Sequence, residues 1–279
     1  MPRRDEGYFA SRDGKRLFWW QLLPDGEPKA WLGFVHGYAD HSGRYEKPIE
    51  HWVKQGFAVQ AFDYRGHGKS DGARGDVGQW SDYLDDVGVF YGRLREAAQG
   101  KPLFLLSHSN GSLINTHFIA QTPLPELRGA VLVGPFYGLA LPVPPLKLLA
   151  AKLVKGLAPG FKIGNELDPT HLSRDTAWQL ESAQDPLRFA TTTPRWFFET
   201  RAAQERLAGV GPKLKLPLLM VMGAEDPIAS VPAARAFFDT IGSADKTLKL
   251  NEGHRHETLM EIGREQVWDD ISSWISAHL

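Results

Sequence analysis

Residues 103–112 constrain the fold of this chain more than any other stretch of its 279 residues. Residues 103–106 form an unbroken apolar run, short enough for a strand buried on both faces, and a helical apolar pattern resumes after the stretch ends. The chain must therefore turn sharply from strand to helix, and only small residues fit two positions before and after the centre of such a turn. Ser107 and Gly111 occupy those positions, so we expect Ser109 to adopt a strained backbone conformation with an exposed hydroxyl.

Predicted strands and helices alternate along most of the chain. Residues 8–10 and 17–23 flank a turn and predict an antiparallel pair. Apolar runs typical of buried strands follow at residues 30–35, 57–62, 129–134, 216–222 and 247–250. Amphipathic helices are predicted among these strands, and Ser81 is the predicted N-cap of one of them. This alternation predicts an α/β fold with a mostly parallel sheet covered by helices on both faces.

Residues 135–200 break the alternation, and we interpret them as a cap inserted into a core formed by residues 1–134 and 201–279. Four leucines in the insertion are spaced as one face of a helix, and lysines but no acidic residues accompany them: Leu146, Leu149, Leu153 and Leu157. Two interpretations remain open. The leucines either pack a cap helix over the core, or they form an amphipathic basic lid that contacts lipid surfaces and admits an acyl chain. Both place an apolar roof over Ser109.

The composition excludes several classes of function. A formal charge of −1 offers no electrostatic basis for binding nucleic acid. The absence of cysteine excludes disulfides, thiolate nucleophiles and cysteine metal sites, and the spacing of the ten histidines suggests no metal cluster. The N-terminus lacks the apolar core of a signal peptide, and no window approaches ~20 uninterrupted apolar residues. We therefore expect a soluble, cytoplasmic protein.

Reactive side chains follow the last two predicted strands, where residues gather at the carboxyl edge of a parallel sheet. Asp226 follows the strand at 216–222, and His256 follows the strand at 247–250. Together with Ser109 they give the chain order serine, acid, histidine. Glu225 and His254 are the alternatives for the acid and the base, and we expect both to be loop residues without that role.

A serine, a histidine and a carboxylate in this order suit nucleophilic catalysis. The serine hydroxyl is a weak nucleophile at neutral pH, an imidazole can take and return its proton, and a carboxylate orients the imidazole. The tetrahedral oxyanion then needs backbone N–H donors. We expect these donors to be the amides of Asn110, at the start of the helix after Ser109, and of Tyr38, in the loop after the strand at 30–35.

Three motifs resemble monoacylglycerol lipases and bacterial lysophospholipases of the α/β-hydrolase fold: His36-Gly-Tyr-Ala-Asp-His-Ser-Gly-Arg-Tyr45, Asp63-Tyr-Arg-Gly-His-Gly-Lys-Ser-Asp-Gly72 and Gly253-His-Arg-His-Glu257. The resemblance implies an eight-stranded, mostly parallel sheet with a helical cap. It implies a serine ester hydrolase without metal or cofactor, acting on monoacylglycerols or lysophospholipids, with Ser109 as nucleophile, Asp226 as acid and His256 as base. It also implies that Asp40 and Arg44 border the pocket for the alcohol, although a structural ion pair is an equally open interpretation of Arg44.

The chain departs from the pattern of this family at the turn around Ser109. The family usually has Gly-His-Ser-Met-Gly-Gly there, whereas this chain has Ser107-His-Ser-Asn-Gly-Ser112. Serine is small enough to keep the turn at both outer positions. Asn110 replaces an apolar methionine, so we expect its side chain to influence which ester fits. Asp40 stands where glutamate is frequent, which bears on the alcohol side.

Other functions remain open from the sequence. A broad carboxylesterase would prefer short soluble esters, and a ligand-binding protein would have kept the fold without catalysis. An acyltransferase would pass the acyl group to an alcohol instead of water. The remaining histidines near the predicted site are expected to be structural, satisfying backbone groups in loops: His36, His41, His67 and His108. Asp63 and Arg65 are expected to brace a loop by ion pairing.

Overall fold

The computed structural model describes residues 2–165 and 168–279. Its strands are, in chain order, β1 (Arg3–Ala10), β2 (Arg16–Leu23), β3 (Trp31–Val35), β4 (Ala58–Phe62), β5 (Leu103–His108), β6 (Leu127–Val133), β7 (Ile163–Gly164), β8 (Thr191–Thr192), β9 (Leu218–Gly223) and β10 (Lys246–Asn251). Eight of them form one sheet in the order β1-β2-β4-β3-β5-β6-β9-β10, and β7 pairs with β8 in a separate short ribbon. The pairs β1–β2 and β2–β4 are antiparallel and the other pairs of the large sheet are parallel, which confirms the predicted fold class.

Helices cover both faces of the large sheet. They are α1 (Glu46–Lys54), α2 (Trp80–Ala98), α3 (Asn110–Gln121), α4 (Pro145–Leu157), α5 (Pro169–Leu172), α6 (Thr176–Gln184), α7 (Pro194–Arg206), α8 (Val231–Thr240) and α9 (Arg264–Ala277). Apolar residues of α2, α3 and α8 pack in one core on one face, and those of α1 and α9 pack in a second core on the other. Burying both faces explains why β3, β4, β5 and β9 consist of continuous buried runs and lack an alternating pattern.

Helix α2 begins two residues earlier than predicted, and Ser81 is not its N-cap. The helix starts at Trp80, with Gln79 in the capping position. The Gln79 backbone N–H donates to Asp82 Oδ2 at 3.3 Å, and the Trp80 N–H donates to Glu199 Oε2 at 2.9 Å. A local capping bond to Asp82 and a carboxylate from α7 together define this end of the helix, and Ser81 does not.

The chain between β6 and β9, which contains the predicted insertion of residues 135–200, carries α4 to α7 and the β7–β8 ribbon. The predicted boundary at residue 200 falls inside α7, which runs to Arg206. The N-terminal end of α7 is fixed to the core, because Asp76 accepts hydrogen bonds from Thr193 Oγ1 at 2.8 Å and from Arg195 Nε at 3.1 Å. Helix α4 differs from α7 because it contains no buried residue.

The leucine stripe of α4 faces away from the core. Leu146, Leu149, Leu153 and Leu157 are between 56% and 90% exposed. The interpretation that these leucines pack the helix over the core is therefore wrong. The residues of α4 that face inward are on its other side, and they include Leu148 and Ala151. In the described residues, no helix is both long and apolar enough to cross a bilayer.

Candidate active site

The turn between β5 and α3 has the strained geometry expected from its sequence. Ser109 lies at φ 52° and ψ −118°, a conformation that costs a non-glycine residue of order 1–3 kcal/mol. A Cβ at Gly111 would lie 2.3 Å from the carbonyl oxygen of His36, so only glycine fits there. The neighbouring serines are buried, and Ser112 Oγ donates to the Val133 carbonyl oxygen at 3.2 Å. Small residues thus let the turn pack tightly against β3 and β6.

A continuous chain of hydrogen bonds joins three of the predicted residues. His256 Nε2 lies 2.8 Å from Ser109 Oγ, and His256 Nδ1 lies 2.7 Å from Asp226 Oδ2. The other carboxylate oxygen of Asp226 accepts from the backbone N–H groups of Ile228 and Ala229, both at 2.8 Å. Backbone amides thus fix the carboxylate of Asp226, and this carboxylate in turn orients the imidazole of His256 toward Ser109.

The electrostatic surroundings of His256 suit a general base. Burial by itself lowers the pKa of His256, but the carboxylate of Asp226 and its hydrogen bond raise it, so that the pKa lies above its usual value. Glu257 adds a smaller contribution in the same direction. A neutral imidazole next to a hydroxyl can accept the proton of that hydroxyl, and the Asp226 carboxylate stabilises the imidazolium that results.

The loop after β3 places a backbone amide beside Ser109. A Cβ at Gly37 would lie 3.0 Å from His108 Nδ1 and 3.3 Å from Ser109 Cβ, so the loop and the turn meet without room for a side chain. The carbonyl oxygen of Gly37 accepts a hydrogen bond from Tyr64 Oη at 2.8 Å and lies 2.7 Å from His36 Nδ1. In a trans peptide the N–H points opposite to the carbonyl, so these contacts fix the direction of the Tyr38 amide.

The Asn110 amide is the first of α3, and a first-turn amide has no acceptor within its own helix. Among the backbone hydrogen bonds of turns, loops and helix caps in residues 2–165 and 168–279, none has the amide of Asn110 or of Tyr38 as its donor. The Tyr38 ring stacks on Trp196 with centroids 3.6 Å apart, and its hydroxyl donates to the Gly75 carbonyl oxygen at 2.8 Å. Tyr38 lines the same cavity as Ser109, and Asn110 directly follows Ser109 in the chain, so the position of both amides is compatible with the predicted oxyanion donors.

A cavity of about 580 Å³ lies between the core and the insertion and opens onto Ser109 and His256. Most of its wall is apolar, and the insertion supplies much of it, including Val143, Leu148 and Phe197. Among the described residues, no three or more His, Asp or Glu side chains are grouped as a metal site would require. The cavity suits an apolar ligand with a polar group near Ser109.

A family model described as serine aminopeptidase, S33 matches residues 26–263. The chain belongs to this family. A monoacylglycerol lipase from Mycolicibacterium smegmatis is 32% identical over 283 residues, with 99% of this chain and 98% of that protein covered. An uncharacterized abhydrolase domain-containing protein from Dictyostelium discoideum is 32% identical over 260 residues, and the chain spans only 27% of that longer protein. A crystal structure of a Paleococcus ferrophilus monoacylglycerol lipase superposes with a TM-score of 0.82 at 27% identity, covering 100% of both chains.

This family member is therefore an ester hydrolase with the α/β-hydrolase fold, of the monoglyceride lipase and lysophospholipase type. The resemblance inferred from its motifs is confirmed. Glu225 and His254, the alternatives for the acid and the base, do not belong to the hydrogen-bonded chain that ends at Ser109. Glu225 is exposed, and His254 does not contact Ser109 in the described part of the chain.

Asp40 and Arg44 occupy a different place in the hydrolase from the one expected. Arg44 Nε lies 3.0 Å from Asp40 Oδ1, both side chains are buried, and neither lines the cavity. Arg44 also packs on Trp178 and lies 3.5 Å from Asp185, a residue of the insertion. Two interpretations were left open for Arg44, and the structure supports the one in which it forms a structural ion pair. The pair ties the loop after β3 to the insertion and does not border the space for an alcohol.

The Asn110 side chain also departs from its expected position. It is fully buried behind the turn, does not line the cavity, and its Nδ2 lies 3.4 Å from Tyr64 Oη. Its side chain therefore does not shape the acyl entrance, and the expectation that it selects the ester is wrong. Asp63 and Arg65 do brace a loop, but Arg65 pairs with Asp86 at 2.7 Å and not with Asp63. Asp63 accepts from the Ser42 N–H at 2.7 Å and from the Lys69 N–H at 2.8 Å.

Three further residues shape the site, and no role was predicted for them from the sequence. Tyr64 holds the Gly37 carbonyl, Trp196 supports Tyr38, and Glu257 lines the cavity next to His256. Glu257 had a signal in the sequence, since it directly follows the proposed base. Tyr64 and Trp196 had none, because their roles depend on contacts between segments far apart in the chain.

Proposed function

We propose that the protein hydrolyses single-chain acyl esters, monoacylglycerols or lysophospholipids, through an acyl-enzyme. Ser109 Oγ attacks the ester carbonyl while His256 Nε2 takes its proton, and Asp226 orients the imidazole. The ester C–O bond then breaks and His256 returns the proton to the departing alcohol. A water molecule, deprotonated by the same imidazole, releases the fatty acid. The observation that carries this proposal is the hydrogen-bonded chain from Ser109 to Asp226 at an apolar cavity.

The amides of Tyr38 and Asn110 are proposed to hold the oxyanion of each tetrahedral intermediate. Each such donor is worth ~3 kcal/mol of barrier when it is fixed before the reaction. The fixed Gly37 carbonyl supports this role for Tyr38, and the helix N-terminus supports it for Asn110. The name of the Mycolicibacterium smegmatis relative, monoacylglycerol lipase, supports the choice of a single-chain glyceride as substrate.

We also propose that residues 135–200 act as a cap and that α4 contacts lipid surfaces. Its exposed leucines support this proposal, and lysines 147, 152, 155 and 162 accompany them without an acidic residue between 139 and 163. Such a surface suits the boundary of an anionic bilayer or a lipid aggregate. Contact between α4 and a lipid surface would place the mouth of the cavity next to the substrate. The cytoplasmic location expected from the sequence stays a prediction.

A fluorophosphonate probe tests the nucleophile directly. The unaltered protein should be labelled at Ser109 and should release fatty acid from a monoacylglycerol, and Ser109→Ala should lose both properties. Ser112→Ala is the matched control, because Ser112 lies in the same turn with its hydroxyl committed to Val133. Absence of labelling in the unaltered protein would favour a ligand-binding protein without catalysis. Labelling that persists in Ser109→Ala would assign the nucleophile elsewhere.

A further inference from the structure

The wall of the cavity beside Ser109 contains both apolar and charged side chains. Apolar residues of the 136–151 segment and Phe197 form one part of it. His108, Arg188 and Glu257 line the same cavity and come from β5, the end of the insertion and the loop after His256. An ester with one acyl chain has the same asymmetry, because one side of its carbonyl is a hydrocarbon and the other is an alcohol.

Glu257 is a buried acid that lines the cavity and has one carboxylate oxygen without a hydrogen-bond partner among the described residues. The residue is 4% exposed, and its Oε2 atom has no hydrogen-bond partner within the described residues. His108 Nε2 is 3.8 Å away, beyond hydrogen-bond distance, and that nitrogen already lies 3.2 Å from the His256 carbonyl oxygen. The backbone of Glu257 is fixed, since its N–H donates to the Leu172 carbonyl oxygen at 2.8 Å. Buried polar atoms of native proteins are normally paired, so an unpaired one beside a reactive centre calls for an explanation.

We infer that Glu257 accepts a hydrogen bond from a free hydroxyl of the leaving alcohol, and so selects acyl esters of polyhydroxy alcohols such as glycerol. This inference rests on the proposed function. A monoacylglycerol offers two free hydroxyls that can donate to the carboxyl oxygen. A lysophospholipid keeps one glycerol hydroxyl but adds a phosphate, whose oxygens without a bound proton only accept and whose negative charge is repelled by a carboxylate. Monoacylglycerols therefore match Glu257 better than lysophospholipids.

If Glu257 binds the alcohol, Asp40 and Arg44 do not need to line the cavity, and neither of them does. Burial by itself raises the pKa of Asp40, but the charges of Arg44 and then Arg188 lower it to about 2, so its charge is matched by neighbouring cations. Tyr45 Oη also donates to its Oδ2 atom at 3.0 Å. In contrast, Glu257 has no ion pair closer than His108 in the described part of the chain. Glu257 lines the cavity and Asp40 does not, so Glu257 is the acid placed to contact a substrate.

Two esters that differ only in hydroxyl groups test the inference. One is 1-decanoylglycerol, and the other is propyl decanoate, which has the same acyl chain and a three-carbon alcohol without free hydroxyls. In Glu257→Ala, the ratio of kcat/KM for the glyceride to that for the propyl ester should fall about tenfold, mainly through KM of the glyceride. Glu257→Gln keeps an acceptor oxygen of similar reach and should restore part of the ratio.

The ratio separates substrate binding from effects on the base. Burial lowers the pKa of His256 and Asp226 raises it, and Glu257 adds a smaller increase, so removal of Glu257 changes the rate with both esters. Because both esters use the same imidazole, that change cancels in the ratio. Glu225→Ala, which removes an exposed acid outside the cavity wall, should leave the ratio unchanged. Fluorophosphonate labelling of each variant checks that it is folded.

The possible failures are distinguishable. If the unaltered protein cleaves propyl decanoate and not the glyceride, the proposed lipase function fails. If it cleaves both and the ratio is the same in Glu257→Ala and Glu257→Gln as in the unaltered protein, the inference about Glu257 is wrong while the proposed function stands. A fall of the ratio in Glu225→Ala as large as that in Glu257→Ala would also overturn the inference.

Discussion

At the residue scale, the site depends on the orientation of the peptide between Gly37 and Tyr38. Tyr64 Oη donates to its carbonyl oxygen at 2.8 Å, and Tyr64→Phe removes that bond. We expect kcat to fall about tenfold with little change in KM, because the Tyr38 amide is proposed to act on the oxyanion and not on bound ester. The fall is smaller than the ~10²–10³ expected for complete loss of a donor, since His36 still holds the carbonyl. Steady-state kinetics with a p-nitrophenyl ester measure both constants.

A neighbouring tyrosine provides the matched control. Tyr83 packs edge-on against Tyr64 with centroids 5.1 Å apart, and its buried hydroxyl has no hydrogen-bond partner among the residues described. Tyr83→Phe therefore removes a hydroxyl from the same core without removing a bond to the loop, and kcat should stay within about twofold. Equal losses in the two variants, or an unchanged kcat in Tyr64→Phe, would contradict the role given to Tyr64.

The sequence could predict the hydrogen-bonded residues of the site but not their supports. Ser109, Asp226 and His256 each follow a strand, and the carboxyl ends of parallel strands converge at one edge of the sheet. Their meeting therefore follows from strand order alone. The buried pairing of Asp40 with Arg44 could not be predicted in this way, because it depends on side-chain direction within one loop and on contact with the insertion.

At the element scale, α4 shows what helical periodicity leaves undetermined. The spacing of its leucines correctly predicts a helix with these leucines on one face. It does not determine whether that face points to the core or away from it. The neighbouring positions 148 and 151 line the cavity, so both sides of the helix carry apolar residues, and the side with more leucine is the exposed one. Tertiary packing decided the orientation of this helix.

The exposed face of α4 yields a prediction about lipid surfaces. The double variant Leu149→Ser/Leu153→Ser removes two exposed leucines that do not line the cavity. Full burial of one leucine is worth ~1.5–3 kcal/mol, so even partial insertion of two side chains makes vesicle binding roughly tenfold tighter than without them. We expect the variant to bind vesicles of mixed phosphatidylcholine and phosphatidylglycerol at least tenfold more weakly in co-sedimentation. Its activity on soluble p-nitrophenyl butyrate should be unchanged.

Leu180→Ser is the matched control for that experiment. Leu180 is 62% exposed, which is the exposure of Leu153, but it lies on α6. If vesicle binding depends on the α4 surface, this variant should bind as the unaltered protein does. Equal binding by the α4 double variant, or an equal loss in Leu180→Ser, would count against lipid contact through α4.

At the scale of the whole molecule, the core and the insertion supply different parts of the cavity. The core provides the chain from Ser109 to Asp226 and the amides proposed for the oxyanion, all at one edge of the sheet. The insertion provides most of the apolar wall, and Thr193 and Arg195 fix its α7 end to Asp76. Helix α4, which has no buried residue, closes the other side. Acyl-chain selection should therefore change with residues of α4 that the core chemistry does not involve.

The dependence of rate on acyl-chain length tests this division. Burial of each methylene is worth up to ~0.8 kcal/mol, about fourfold in kcat/KM, as long as the cavity of about 580 Å³ has space for it. With p-nitrophenyl esters from acetate to dodecanoate, kcat/KM should rise with chain length and then level off. Ala151→Phe, which fills space at the cavity wall, should move the plateau to shorter chains, whereas Ala150→Phe on the exposed side of α4 should not. A steep optimum at the shortest chains in the unaltered protein would contradict an enclosed acyl site and favour an esterase for short soluble esters.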